Sequence, residues 1–209
     1  MGTSASSAPP RDAQILKDAQ ILQDAVREAI RTSPDSFLKT VEDVDAKSLD
    51  YWKHEIQSAT WVVAQRAGKV VGVAAAKYPD PDKDKENKET ARYIESVWIA
   101  PDLRGNRLGE RLIKYLLEAE YQKHQQVKQF LLWVFTTNSS AISLYEHMGF
   151  VLAPPKEKHE SIKPEIRYRL DFNGEVHAAV PLAVNKASRR EDQRQYAVTY
   201  RVLGSADSP

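Results

Sequence analysis

The sequence predicts a mixed α/β domain built around one sheet. Three observations carry this expectation. Near the start, Ile21, Leu22, Ala25, Val26, Ala29 and Ile30 recur at helical spacing. The period then drops: Thr60 to Ala64 and Val70 to Ala75 flank Ala67-Gly68-Lys69 in the manner of a β-hairpin. Beyond that, strand-like and helix-like segments alternate as far as Phe172.

The chain has 209 residues, 42% of them hydrophobic, enough for one domain with a sizeable core. With 28% charged residues and a formal net charge of +1, it lacks the basic excess of a nucleic-acid binder. It has no cysteine, which excludes disulfides, thiolate metal sites and a cysteine nucleophile. His54, His124, His147, His159 and His177 show no metal-ligand spacing, so no metal is expected. No apolar run approaches the ~20 residues of a membrane span. These features predict a cytoplasmic protein with no membrane or nucleic-acid partner.

Residues 1–11 read as a disordered Ser-, Ala- and Pro-rich leader, 12–172 as the domain, and 173–209 as a C-terminal extension. Asp12 to Leu16 and Asp18 to Leu22 are near copies; the first reads as a short strand and the second as a helix start. Pro34 ends that helix, and a second is expected over 41–57. After the hairpin, residues 79–90 are almost all Pro or charged and form an exposed loop. Ala91 to Ala100 alternates, which puts Tyr93, Glu95, Val97 and Ile99 on one face and Ile94, Ser96 and Trp98 on the other. An amphipathic helix starts near Leu108, with Leu112, Ile113, Leu116 and Leu117 inward. Phe130 to Phe135 suits a buried strand, and Ala141 to Met148 a short helix ended by Gly149. Strands are expected at 149–152 and 165–172, and Gln195 to Leu203 has the character of one more.

Two segments carry candidate chemistry. Between the strand and the amphipathic helix lies the turn Arg104-Gly105-Asn106-Arg107-Leu108-Gly109. It presents backbone N–H groups at a helix N-terminus, where the dipole favours an anion, and two arginines add charge. That is a cradle for a pyrophosphate, although the glycines fit neither the dinucleotide fingerprint nor a P-loop. The second segment follows the buried strand. Asn138 is placed to cap the short helix, and Tyr145 lies one turn on from Ala141.

Together IESVWIAPDLRGNRLG and LLWVFTTNSSAISLYEHMGF resemble the GNAT superfamily of N-acetyltransferases, over roughly residues 13–172. The resemblance implies a mostly antiparallel sheet with a splayed parallel pair. It implies acetyl-CoA as cosubstrate and no metal. Arg104 fills the first position of the family's signature turn and Gly109 the last, while Arg107 stands where a glycine is usual. By the resemblance, the backbone of Val97, Trp98 and Ile99 would pair with the pantetheine arm as an added strand, and Asn138 and Tyr145 would lie near the thioester.

The resemblance also assigns roles. An alkyl amine near pKa 10 is protonated at neutral pH and needs a base before it can attack. Glu95 is the candidate, and partial burial would make it a better one. Tyr145 is the candidate acid toward the leaving thiolate, with Tyr93 in reserve. The acceptor would lie between residues 31–40 and 154–163. A small-molecule amine is the expected acceptor, with a protein lysine or N-terminus, or a non-catalytic CoA-binding module, as the alternatives. The tail after Phe172 is compatible with a homodimer contact.

Overall fold

The computed structural model describes residues 11–154, 163–174 and 197–205. Its helices are α1 (Arg11–Thr32), α2 (Val41–Asp45), α3 (Leu49–Ser58), α4 (Leu108–Lys123) and α5 (Ser139–His147). Its strands are β1 (Ala59–Arg66), β2 (Lys69–Lys77), β3 (Ala91–Ile99), β4 (Gln129–Phe135), β5 (Val151–Leu152), β6 (Glu165–Asp171) and β7 (Val198–Val202). They form one sheet in the order β5-β6-β4-β3-β2-β1-β7, mixed as expected, with β3 and β4 as the parallel pair. Among the described residues no helix is long and apolar enough to cross a membrane.

Two apolar layers sandwich the sheet. Leu112, Ile113 and Leu116 of α4 pack on Ile94, Phe130 and Leu132, together with Tyr145 of α5. On the opposite face Leu22, Val26 and Ile30 of α1, with Trp52 and Ile56 of α3, cover Trp61, Val63, Val73 and Trp98. Ala67 and Gly68 both take positive φ, the two-residue hairpin geometry whose twist matches the flanking strands. Arg92 of β3 is 1% exposed and bonds Glu120 of α4 at 2.5 Å, so a charged pair pins strand to helix inside the core.

Three expectations about elements need correction. The segment around Asp12 to Leu16 is not a strand: α1 runs unbroken through both near copies. The reason lies at the other end of the chain, because β7 pairs along β1 and takes the sheet edge beside it. The single helix expected over 41–57 is two, since Ser48 accepts the Tyr51 N–H and starts a new helix. Thr40 and Asp43 cap the first of the two reciprocally. The third correction concerns β3. Ala75 pairs Glu95 and Val73 pairs Trp98, so β3 spends three steps where β2 spends two. Ser96, at φ 56°, is the extra residue of a bulge. Val97 and Ile99 therefore join Ile94 on the α4 side, and Trp98 joins Tyr93 and Glu95 on the α1 side. The expected leader falls outside the described residues except for Arg11, as do residues 155–162 and 175–196.

β7 is tied down by a buried charge. Asp18 of α1 is fully buried, accepts from Arg201 Nη1 at 2.9 Å and from the Gly204 N–H at 2.8 Å, and Leu203 enters the core beside it. Removing one partner of a buried pair strands the other charge, typically at a cost of about 3–5 kcal/mol. Arg201→Met is expected to destabilise the fold by about 3 kcal/mol in urea titration. Removing the exposed Arg31 partner of Glu28 is expected to change stability by less than about 1 kcal/mol.

Candidate functional site

The parallel ladder between β3 and β4 is short. Ala91, Arg92 and Tyr93 pair with Gln129, Phe130 and Leu131, and no pairing continues beyond them. β4 stays bonded to β6 as far as Phe135, and β3 stays bonded to β2 as far as Ile99, so the two strands diverge while each keeps its other neighbour. The result is a wedge lined by strand backbone, with Val97, Trp98 and Ile99 on one lip. An extended ligand can complete such an edge by main-chain hydrogen bonds.

The basic turn sits at the mouth of the wedge, on the path from β3 into α4. Gly105 takes φ 79°, which frees the turn to double back. Arg107 is the N-cap of α4 at φ 57°, a left-handed conformation that suits glycine and costs an ordinary residue about 1 kcal/mol. It is the position at which the resemblance implies a glycine. Gly109 serves packing: a Cβ there would lie 3.0 Å from Leu144 Cδ2, so the Leu144 side chain would have to shift to keep α4 against α5. The N–H groups of Leu108, Gly109 and Glu110 precede the first helical bond, which runs from Arg111 N–H to Arg107 O. N–H groups at a helix start of this kind are suited to an anion.

The side chains of the turn are partly committed. Arg104 Nε donates to Ile99 O at 3.0 Å and Nη2 donates to Ser33 Oγ at 2.6 Å. The Asn106 amide bonds the carbonyls of Leu103 and Arg104 at 3.4 Å. Arg107 forks onto Glu110, which Lys114 also bonds at 2.7 Å. Lys114 and Arg107 together hold the Glu110 carboxyl well down, at about 2. Arg111, placed by its helical spacing on the outer face of α4, has Nη2 3.1 Å from Asn106 O and adds a third guanidinium to the turn.

Across the mouth, Asn138 caps α5 as expected, accepting the Ala141 N–H at 3.2 Å. Its amide also reaches Ser36 Oγ at 3.4 Å. Ser33 and Ser36, on the turn after α1, thus touch both lips of the wedge. Trp98 turns its indole away from the wedge, donating to Thr32 Oγ1 at 3.1 Å.

The three acid–base candidates fall on two sides of the sheet. Tyr145 is buried on the α4 side, its ring 5.7 Å from that of Phe150, and burial pushes its phenol pKa up. Glu95 and Tyr93 lie on the α1 side. The partial burial expected for Glu95 is not found: its side chain is 51% exposed. Its neighbour is Lys77, whose Nζ lies 3.5 Å away and also bonds Glu55 at 2.8 Å. Burial works against the Lys77 charge, but Glu95 and Glu55 outweigh it and raise its pKa. Tyr93 is buried, and its hydroxyl donates to Glu86 at 3.1 Å and accepts from Arg167 Nη2 at 3.1 Å. Glu86 comes from the charged loop and Arg167 from β6; Glu86 also pairs directly with Arg167. Among the described residues no group of three or more His, Asp or Glu could hold a metal ion.

Sequence reasoning missed Lys77, Glu55, Glu86, Arg111 and Arg167. Arg167 left one faint trace, a charge in mid-strand between Ile166 and Tyr168. The others come from elements that approach the wedge only in three dimensions.

The wedge, the helix start at its mouth and the capped α5 define a class. A profile described as the Acetyltransferase (GNAT) family matches residues 23–150, and the chain belongs to that family. Among curated relatives, the Spermine/spermidine N(1)-acetyltransferase of Bacillus subtilis (strain 168) is 30% identical over 97 residues, which are 46% of this chain and 53% of that protein. The Mycothiol acetyltransferase of Amycolatopsis mediterranei (strain U-32) is 27% identical over 117 residues, 56% of this chain and 37% of the relative. The chain thus spans about half the length, or less, of these curated relatives. Among solved structures, the Ribosomal-protein-alanine N-acetyltransferase from Brucella melitensis aligns with a TM-score of 0.58 at 19% identity, over 75% of this chain and 96% of that one. The paiA N-acetyltransferase from Thermoplasma acidophilum, in complex with coenzyme A, aligns at 0.54 and 16% identity, over 75% and 94%. These likenesses establish the fold.

Glu110 gives the turn a pH signature. Its carboxyl is depressed in the folded state, so its contribution to stability is complete above the unfolded value near 4.5 and is lost as pH falls toward about 2. Urea midpoints measured from pH 6 downward should show the parent more stable than Glu110→Gln by a constant margin above about pH 5, a margin that shrinks steadily below about pH 4.5.

Proposed function

We propose that this chain is an acetyl-CoA-dependent N-acetyltransferase that acetylates a primary amine of a small molecule, with Glu95 as general base and Tyr145 as general acid. The observation that carries the reading is the short β3–β4 ladder, which opens strand backbone directly beside an α-helix start flanked by Arg104, Arg107 and Arg111. A flexible arm ending in a pyrophosphate fits those two features together, the arm on the β3 edge and the phosphates at the N-terminus of α4. The spermine and mycothiol acetyltransferase relatives support an amine of small-molecule size. In this reading residues 12–172 form the catalytic unit, and the extension 173–209 supplies β7 as a brace on β1.

Acetyl-CoA supplies the activated acyl group as a thioester. The protein supplies the proton transfers. Glu95 and Tyr145 flank the sheet from opposite sides, and the wedge is where the sheet between them opens. An amine arriving from the α1 side meets Glu95 first. The exposure of Glu95 allows it to take the proton directly or through water and to return it to solvent. Tyr145, held neutral by burial, keeps its proton to offer a leaving thiolate from the α4 side. Burial alone raises the Tyr145 pKa, with no charged neighbour contributing. Arg104, by its bond to Ile99 O, fixes the β3 end of the wedge relative to the turn.

Two substitutions test the assignment by thiol release from acetyl-CoA against an amine panel. Tyr145→Phe keeps the ring and its packing, and should lower kcat by about 100-fold with little change in acetyl-CoA binding. Unchanged turnover would reduce Tyr145 to a packing residue.

Glu95→Gln should be slow at neutral pH and partly recover toward pH 10, where a larger share of the amine is already deprotonated. A variant with the parent's rate and pH profile would remove Glu95 from the mechanism.

A further inference from the structure

Arg167 is the least expected side chain on the acceptor face. It belongs to β6, opposite Trp133 of β4, and is only 9% exposed. A buried guanidinium normally has its donors satisfied, because leaving a charged donor unpaired is costly. Here Nη2 serves both Glu86 and the Tyr93 hydroxyl, while Nε is buried and has no hydrogen-bond partner among the described residues. The Nε–Nη2 edge of arginine is the fork that takes a carboxylate through two parallel bonds. Only half of that fork is used. Its walls are aromatic: the guanidinium carbon lies 5.9 Å from the ring centres of both Tyr93 and Trp133.

The group on the used half is a carboxylate borne by a surface loop. Glu86 comes from the Pro-rich and charged stretch between β2 and β3, and it dips inward to reach Arg167 and Tyr93. It stands where an incoming carboxylate would stand. Next along the same face is Glu95, two residues from Tyr93, a backbone separation of roughly 7 Å. There the Lys77 ammonium lies between Glu95 and Glu55. An anion-binding fork and a pair of carboxylates around an ammonium therefore sit side by side on one surface.

From this arrangement we infer that Arg167 anchors a carboxylate of the acceptor, so that the acceptor is an amino acid-like amine rather than a polyamine. The inference rests on the N-acetyltransferase reading and refines its substrate. On binding, the ligand carboxylate displaces Glu86 and engages both Nε and Nη2 of Arg167, while its amine lies toward Glu95. A diamine lacks the group that Arg167 selects. Its second ammonium would have to lie against a buried guanidinium, and like-charge contact of that kind works as rejection. The charge pattern thus separates two amines that differ by one carboxylate.

Matched pairs test this: ornithine against putrescine, lysine against cadaverine, and tyrosine against tyramine, each pair differing only in the carboxylate. In the parent, kcat/KM for thiol release should favour at least one carboxylated member over its partner by about 100-fold, in line with the loss seen when a site built for a polar group meets an analogue lacking it. Arg167→Lys should shrink that ratio by at least tenfold, mainly through KM, since lysine cannot make the bidentate contact. Glu86→Gln, which removes the competing carboxylate and leaves Arg167 in place, should enlarge it. Calorimetry of the same amines without acetyl-CoA separates the two levels of the argument. Tighter binding of a carboxylated member that depends on Arg167, with no thiol release from any pair, supports the carboxylate site and sinks the acetyltransferase reading. Turnover that is equal within each pair, or that favours the diamines, and that ignores both substitutions, overturns the inference and leaves that reading standing. Absence of both binding and turnover for all six amines overturns both.

Discussion

Arg92 and Glu120 meet inside the core at 2.5 Å, one from the middle of the short parallel ladder and the other from the last turn of α4. Neither ion would tolerate that depth alone; Nε and Nη1 of the guanidinium are used, while Nη2 has no hydrogen-bond partner among the described residues. Arg92 Nη1 reaches the carbonyls of Lys88 and Ala91, and the guanidinium lies 3.9 Å from the ring centre of Tyr78. The consequence is positional. The ion pair fixes the closed end of the wedge against the C-terminal end of α4, so the opposite end of that helix, with its free N–H groups, is carried to the open end. The site is the far end of a lever whose fulcrum is a buried charge.

The Ser96 bulge does the complementary work on β3. Without an extra residue the strand would keep Glu95 and Val97 on one face, and the candidate base would share a side with the apolar packing of α4. The bulge places Tyr93 and Glu95 under the open α1 side and returns Val97 and Ile99 to the core. It also puts the kink where β3 leaves β4. A non-glycine residue at φ 56° carries a local cost. That cost is borne at the position where strand direction and face both change.

Polar groups around the wedge divide by function. At the start of α4, cations outnumber acids, and Glu110 is held by two of them. On the Glu95 side the charges are mixed: Lys77 lies between Glu55 and Glu95, and Arg167 pairs with Glu86. The first pattern suits an anion; the second presents both signs of charge within one surface. The serines of the turn after α1 touch Arg104 and Asn138, so the two sides communicate through a segment that crosses the mouth.

Much of this was legible in the chain itself. Periodicity located the hairpin, β3, α4, β4 and α5, and the Gly, Arg and Asn positions marked the turn and the α5 cap, because these signals are local: each depends on residues within one or two turns of helix or one strand. The family was legible for the same reason, since its motifs are contiguous. What sequence could not decide depends on long-range pairing. Whether Asp12 to Leu16 was strand or helix turned on β7, some 180 residues away, taking the edge of β1. The face of Val97 turned on a bulge that becomes visible only when β3 is set against β2. The exposure of Glu95 and the gathering of Glu86, Tyr93 and Arg167 follow from a loop, a central strand and a late strand meeting in space. Local order is written in residue spacing, but charge pairing at the site is fixed by the sheet that brings distant segments together.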